Sequence, residues 1–333
     1  MSSDITPVQQ ALVWWNTSPV PPLQSLDPRL SLHAQIANSF SLANSAVAQD
    51  MSAHTHALAL EAALGGPEPM AARVGTCAQS SLIAAQLLRV REAWPDVWRS
   101  TGRVQLASSF LASLLTGTFV GMGEAEASST GLWVHSTVPG TPSHWDEGVM
   151  EIVGGNRDEG RRIWGWLGDV DTSGGRRRIG NVSRYIVDRY GFDPGMFVSL
   201  RILGLDLTLR IDTIVTPFTA DYLSTYLSLC PSASDAVLSF GPMDVVMTPA
   251  PHYLPSRLYN LFPHPAQDAS EKRRYVAMLT SRYAYSHFPS VISSLTMRRN
   301  ADVPRALVRD MYTKSWSAFD RLVAIVPPGG SIG

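Results

Sequence analysis

Apolar positions repeat at two periods along the chain, and the change of period marks where strands give way to helices. The run Ala11-Leu-Val-Trp-Trp15 is short and continuously apolar, which predicts a buried strand, and Pro19, Pro21 and Pro22 stop any helix after it. Between Ala46 and Arg91 the segments Leu58–Leu64 and Leu82–Val90 have helical spacing and strong helix formers, broken by Gly65-Gly66-Pro67. Val104–Leu115 reads as a strand running into a helix, Glu124–Gly131 as a small-residue turn before Leu132-Trp-Val134, and Trp145–Val153 as an amphipathic helix ended by Gly154-Gly155. From Asp158 to Gly180 the periodicity fades while Gly, Asp and Arg accumulate, as in Gly174-Gly-Arg-Arg-Arg-Ile-Gly180, so this stretch is expected to be a solvated loop and the best domain boundary. Beyond it a helix is expected over Val182–Tyr190, strands over Phe197–Leu203 and Asp235–Phe240, and a last helix over Ser315–Val323. Strands alternating with helices predict an α/β layer architecture.

Composition narrows the function classes. Of 333 residues, 45% are hydrophobic and 17% charged, enough for a large core and too apolar for a mainly disordered chain. The 27 Lys plus Arg nearly balance 28 Asp plus Glu, and a formal charge of −1 removes the electrostatic case for a nucleic-acid partner. Val104–Val120 is interrupted by Ser108, Ser109, Ser113 and Thr116 and falls short of the roughly 18 apolar residues of a membrane span, so no membrane partner is expected. Met1–Gln10 carries Asp4 and lacks the basic and apolar regions of a secretory signal. Cys77 and Cys230 are too few and too far apart for a disulfide framework, which fits a reducing, cytoplasmic setting.

Most general catalytic signatures are missing: there is no G-x-x-x-x-G-K-[ST], G-x-G-x-x-G, H-E-x-x-H or C-x-x-C. His54 and His56 stand two apart, with no third ligand at a suitable interval, and read as a surface pair rather than a metal site. Asp50, Asp221 and Asp244 are each expected where a strand meets a turn, the place where α/β proteins present catalytic carboxylates and also where capping aspartates sit.

Several blocks occur in order at spacings that resemble the xylulokinase branch of the FGGY carbohydrate kinases, especially its fungal and animal members. They are Leu60–Gly66, Val104–Gly117, Ser128–Trp133, Trp145–Gly155, Tyr185–Phe192, Asp235–Gly241, Leu261-Phe-Pro-His-Pro265 and Tyr275–Leu279, collinear from about Val8 to Leu322. The resemblance implies an α/β, ribonuclease-H-like and actin-like pair of domains, matched incompletely. Residues 1–178 would be a remnant of the N-terminal sugar-binding domain, 179–326 part of the C-terminal domain, and 327–333 a tail. It implies sugar and ATP with magnesium in the cleft, and an aspartate acting as base on a sugar hydroxyl. Phosphoryl transfer of this kind depends on positioning and charge neutralisation more than on covalent help.

Residue by residue, the ligand-facing motifs have drifted. The family's Gln-Gln-His-Gly is matched by Gln9-Gln10-Ala-Leu12, leaving Gln10 as a sugar-binding candidate, and its Trp-Gln-Asp by Ala48-Gln-Asp50, leaving Asp50. Its Thr-Gly-Asp-Asn-Pro turn is matched by Thr219-Ala-Asp-Tyr-Leu223, which makes Asp221 the candidate base, with Asp206 a weaker one. Its Ser-Leu-Gly-Thr-Ser phosphate turn becomes Ser239-Phe-Gly-Pro-Met243, leaving Ser239 and Gly241 for the nucleotide phosphates while Pro242 removes a backbone donor. The family's first strand with its phosphate loop, and its adenine-binding Gly-Gly-x-Ser region, have no counterpart in the matched stretch. Three readings follow. The chain is a catalytically impaired xylulokinase-like protein kept as an accessory or binding protein, for example in fungal secondary metabolism; or a working kinase with Asp221 as base and ATP and magnesium as cofactors; or a protein whose cleft, lined by Leu82, Ile83, Tyr222, Leu223 and Met243, takes a more apolar small molecule. An uncovered sheet edge is expected to favour a homo-oligomer or a complementing partner.

Overall fold

The computed structural model describes residues 11–17, 23–46, 50–138, 140–173, 178–192, 195–202, 205–229, 231–233, 235–239, 243–267 and 272–282. Gln10, Gly241, Pro242, Cys230 and the expected helix over Ser315–Val323 lie outside the described residues. Contacts between Cα atoms separate Met1–Val237 plus Val246–Leu279 from a second unit, Leu238–Val245 plus Thr280–Gly333.

The expected first strand is β1 (Leu12–Asn16), followed by a short helix α1 (Leu32–Ile36) that Ser31 caps. The helical stretch resolves into α2 (His54–Ala63), α3 (Pro67–Val74), α4 (Ile83–Ala93) and α5 (Pro95–Ser100). Pro67 starts α3, and Gly75, at φ +70°, ends it. The chain then enters β2 (Thr101–Leu106), which returns antiparallel to β1 with Leu12 opposite Leu106 and Trp14 opposite Val104. That register sends Trp14 and Val104 into one core with Leu60, Met70, Ile83, Leu87 and Leu132, while fully buried Trp15 packs on the other face with Phe40 and Phe110. A polar pin crosses the pair: the Trp15 indole N–H donates to Gln105 Oε1 at 2.8 Å.

Strand β2 runs without a break into α6 (Ala107–Thr116), as the pattern predicts. The small-residue segment after it is not a turn: Glu124–Ser128 forms a helix, α7, because residue 123 is pinned to residue 171. The Glu124 N–H donates to Asp171 O (3.1 Å) and the Asp171 N–H to Met122 O (2.9 Å). Strands β3 (Trp133–Val134) and β4 (His144–Trp145) form a short antiparallel pair that leads into α8 (Glu147–Gly154). Asp146 caps α8 by accepting from the Val149 N–H at 3.0 Å.

The largest departure from the sequence reading is α9 (Arg157–Leu167), in a stretch expected to be loop. Its buried face is only Gly160, Ile163, Trp166 and Leu167, so the arginine-rich remainder masks the period. The helix is nonetheless signalled by Asn156, whose side chain accepts from the Glu159 N–H at 2.9 Å. Helices α8 and α9 approach closely through Gly154 and Gly160: a Cβ on Gly154 would lie 2.7 Å from the Gly160 nitrogen.

Beyond β5 (Gly180–Asn181) come α10 (Arg184–Tyr190) and a hairpin of β6 (Gly195–Ile202) with β7 (Leu205–Asp212). Asp206 therefore sits within a strand, opposite Arg201, and not on a turn. Strand β8 (Ile214–Val215) pairs with β5, and α11 (Asp221–Leu229) follows an extended segment. The last strands are β9 (Val237–Ser239), β10 (Met243–Ala250), β11 (Asn260–Pro263) and β12 (Tyr275–Arg282), ordered β11-β12-β10-β9 in one sheet. Asp244 is the second residue of β10, at the start of a strand rather than its end.

Candidate functional site

Asp221 opens α11, where its Oδ1 accepts the N–H of Tyr222 at 2.8 Å. The helix is fixed by its apolar face, because Tyr222, Leu223 and Tyr226 are all buried and the Tyr222 ring lies 6.2 Å from that of Phe262 on β11. Asp221 is thus held at the helix start on the rim of a cavity of about 200 Å³.

The facing wall is the junction of β2 and α6, which contributes Leu106, Ser108 and Leu111, and α7 supplies Glu126 and Ser129. Phe218, Thr219 and Ala220 complete the lining, so the cavity holds two carboxyl groups and no Lys or Arg among its described lining residues. Glu126 is 2% exposed, and Ser108 Oγ donates to its Oε1 at 2.6 Å. Its other oxygen, Oε2, is buried without a hydrogen-bond partner, as is Thr219 Oγ1. Burial pushes the Glu126 carboxyl up to about 7, against the opposing pull of Ser108 and the backbone amides of Gly123 and Ala220. Burial also raises Asp221, with the Tyr222 amide opposing it.

Two residues earlier on α7, Glu124 meets the opposite environment. Burial favours its neutral form, yet hydrogen bonds from His135 and Ser143 and the charges of His135 and Arg273 outweigh it and hold the carboxyl below its usual range. His135 Nδ1 lies 2.9 Å from Glu124 Oε1, Arg273 Nη1 lies 3.3 Å from Oε2, and His135 Nε2 stands 3.3 Å from the Tyr275 hydroxyl on β12. One short helix therefore carries one carboxyl held below its usual range and one pushed well above it, the divergence that separates acid from base roles in active sites. The two glutamates also line a smaller cavity of about 90 Å³ with Asp171, His264 and Arg273.

The structure does not gather all the sequence candidates. Asp50 lines a separate cavity of about 210 Å³ with Trp14, Gln86 and Trp94, where it accepts from the Ser52 N–H at 2.8 Å and pairs with Arg89 at 3.3 Å. Ser239 ends β9, half-buried, while Gln10 and Gly241 are outside the described residues. The expected apolar lining also changes. Leu82, Ile83 and Leu223 are buried packing residues, with Leu82 filling the space beside Gly131, so among the described side chains of that set only Tyr222 reaches the cavity, whose apolar wall includes Leu106, Leu111 and Phe218. The Met243 side chain is outside the described residues. Sequence reasoning missed Glu126, and the available signal was a Glu-x-Glu pair inside a run of alanine and serine with no basic neighbour.

No family model matches the sequence. Among curated proteins, the chain is 29% identical over 330 residues to the probable D-xylulose kinase A of Neosartorya fischeri. It is 30% identical over 331 residues to that of Aspergillus terreus, and both alignments cover 97% of this chain and 50% of the relative. The chain is related to the xylulokinase branch of the FGGY carbohydrate kinases. Its fold is that of the FGGY sugar kinases: the ligand-bound xylulose kinase from Lactobacillus acidophilus superposes at TM-score 0.61 and 14% identity over 92% of this chain. The Plasmodium falciparum glycerol kinase with ADP gives TM-score 0.60 at 13% identity over 89%. Each match covers 50% of the neighbour, so the chain spans about half the length of the proteins it matches. Within this xylulokinase relative, four residues of the stretch that resembles the family's base turn, Thr219, Ala220, Asp221 and Tyr222, line the Glu126 cavity.

Proposed function

We propose that this xylulokinase relative binds a small polyol or ketose in the Asp221–Ser108–Glu126 cavity and does not transfer a phosphoryl group efficiently. The observation that carries this reading is the pairing of two carboxyl groups, both shifted toward the neutral form, in a cavity with no cationic side chain among its described lining residues. Phosphoryl transfer spreads negative charge over the transferred group and needs closely placed backbone donors and cations. Here Ala220 and Tyr222 stand where the family has glycine and asparagine, and buried Tyr222 fixes the turn against Phe262. Pro242 in the phosphate turn offers no N–H. Hydroxyl binding asks for less, because Asp221 accepts from a hydroxyl while Ser108 and the Glu126 carboxyl fix its neighbours.

The test is binding and turnover on the same preparation: calorimetry with D-xylulose, and an ADP-coupled assay with D-xylulose and magnesium ATP. Binding without ADP release is the expected result. ADP release that depends on D-xylulose and is abolished by Asp221→Asn would establish the working kinase, with Asp221 as base and ATP and magnesium as cofactors. The division at residue 178, cytoplasmic placement, self-association and an accessory role in fungal secondary metabolism are parts of the main reading. Light scattering tests the self-association.

A second reading has a specific observation in its favour: Leu111 and Phe218 on the cavity rim are 50% and 37% exposed, which suits a more apolar ligand. Thermal shifts with apolar ketones and none with sugars would select it.

A further inference from the structure

Resting on the cavity reading above, we propose that Glu126 binds ligand as a neutral carboxylic acid, donating the proton on Oε2 to a carbonyl or hydroxyl oxygen of an uncharged molecule. Ionising Glu126 removes that donor and closes the site to such a ligand.

Glu126 Oε1 already receives the Ser108 hydroxyl, whereas Oε2 is buried at a residue 2% exposed and closes no hydrogen bond of normal geometry, the Gly123 and Ala220 amides beside the carboxyl included. A buried polar atom left in this state destabilises the fold and is satisfied when a ligand supplies the missing partner. Thr219 Oγ1, on the neighbouring stretch of the same wall, is buried and unpartnered as well. Glu126 and Thr219 both line this cavity and the smaller one beside it, and their buried oxygens are of complementary type, since a carboxylic acid O–H donates and a threonine hydroxyl both donates and accepts. A hydroxyketone presents a carbonyl acceptor and a hydroxyl on adjacent carbons and satisfies both.

The charged groups around Glu126 keep its proton in place. From α11, Asp221 faces the same cavity and adds a second acid; from α6, Ser108 donates without charge. On α7 itself, Glu124 engages the side chains of His135 and Arg273. Asp171 and His264 stand on the lining of the smaller cavity. Burial then makes the neutral form of Glu126 persist to about pH 7.

The test measures D-xylulose affinity by calorimetry at about pH 5.5 and about pH 8.5 for the wild-type chain, Glu126→Gln and Asp221→Asn. With the proton held to about pH 7, wild-type affinity should fall about 30-fold between these values. Glu126→Gln carries an amide donor at every pH and should bind at about pH 8.5 nearly as the wild type does at about pH 5.5. Asp221→Asn, which keeps Glu126, should retain the pH slope whatever its absolute affinity. Wild-type binding that is equal at both pH values overturns the proposal alone, as does a slope abolished by Asp221→Asn and kept by Glu126→Gln. Absence of binding by all three chains at both pH values overturns the cavity reading and the proposal together. Where Glu126→Gln fails to fold, the wild-type and Asp221→Asn slopes still decide between Glu126 and Asp221.

Discussion

Replacing Glu126 by Gln should change how the stability of this protein depends on pH, and the size of the change follows from burial alone. Its carboxyl is moved from an ordinary value of 4.5 to about 7 by transfer into a site that is 2% exposed. A carboxyl whose pKa is raised by folding costs nothing below its unfolded value, where both states hold the proton. As pH rises from about 4.5 to about 7, the unfolded chain ionises and the folded one does not, so stability falls by about 1.4 kcal/mol per unit, roughly 3 kcal/mol in all. Glutamine preserves the shape and the Ser108 contact and cannot ionise. Urea unfolding followed by tryptophan fluorescence, repeated from about pH 5 to about pH 8, should give a variant-minus-wild-type difference that grows by about 3 kcal/mol in favour of the variant. Other titrating groups cancel in the difference. A difference that stays constant over this range means that Glu126 ionises as it does in water, and both the dry cavity wall and the neutral acid would have to be abandoned.

Further outcomes follow from the same geometry. Glu124→Gln should destabilise the chain by about 2 kcal/mol at neutral pH, because His135 and Arg273 lose a buried carboxylate. Since folding lowers the Glu124 pKa, its contribution is present above about pH 4.5 and lost on acidification, so the variant should show a shallower acid limb in the same titration. Asp146 caps α8 and forks onto Arg73 (Nη2 to Oδ1 2.7 Å), so Asp146→Ala should cost about 2–3 kcal/mol in urea unfolding and Asp146→Asn distinctly less. Gly154→Ala should lower the thermal midpoint, because backbone contact at 2.7 Å costs about 1–3 kcal/mol and outweighs the gain of about 1 kcal/mol in helix propensity. An unchanged midpoint would show that α8 and α9 can separate freely.

The elements with a clear period were legible in the chain. Leu12–Trp15, Leu58–Leu64, Leu82–Val90 and the strand-to-helix passage through Leu106 all form the structures their patterns predict, because burial of a continuous face decides each of them locally. Helix α9 was obscured by its arginines, although Asn156 and Glu159 mark its start. Helix α7 was hidden for a different reason: five small and acidic residues have no intrinsic helical tendency strong enough to stand alone, and the backbone bonds from Asp171 and to Met122 hold the segment in place. The candidate site divides differently. Asp221 and Asp50 were both singled out from their surrounding motifs, yet the two line different cavities.

The amino-acid order alone settled the kinship with xylulokinases and the framework of helices and strands, because packing patterns are written at short range and persist when contacts to ligand are lost. Which carboxyl groups share a cavity, and which of two glutamates on one helix keeps its proton, was decided only when distant segments closed over α7. Desolvation is a property of everything surrounding a group, and no neighbour in sequence carries it.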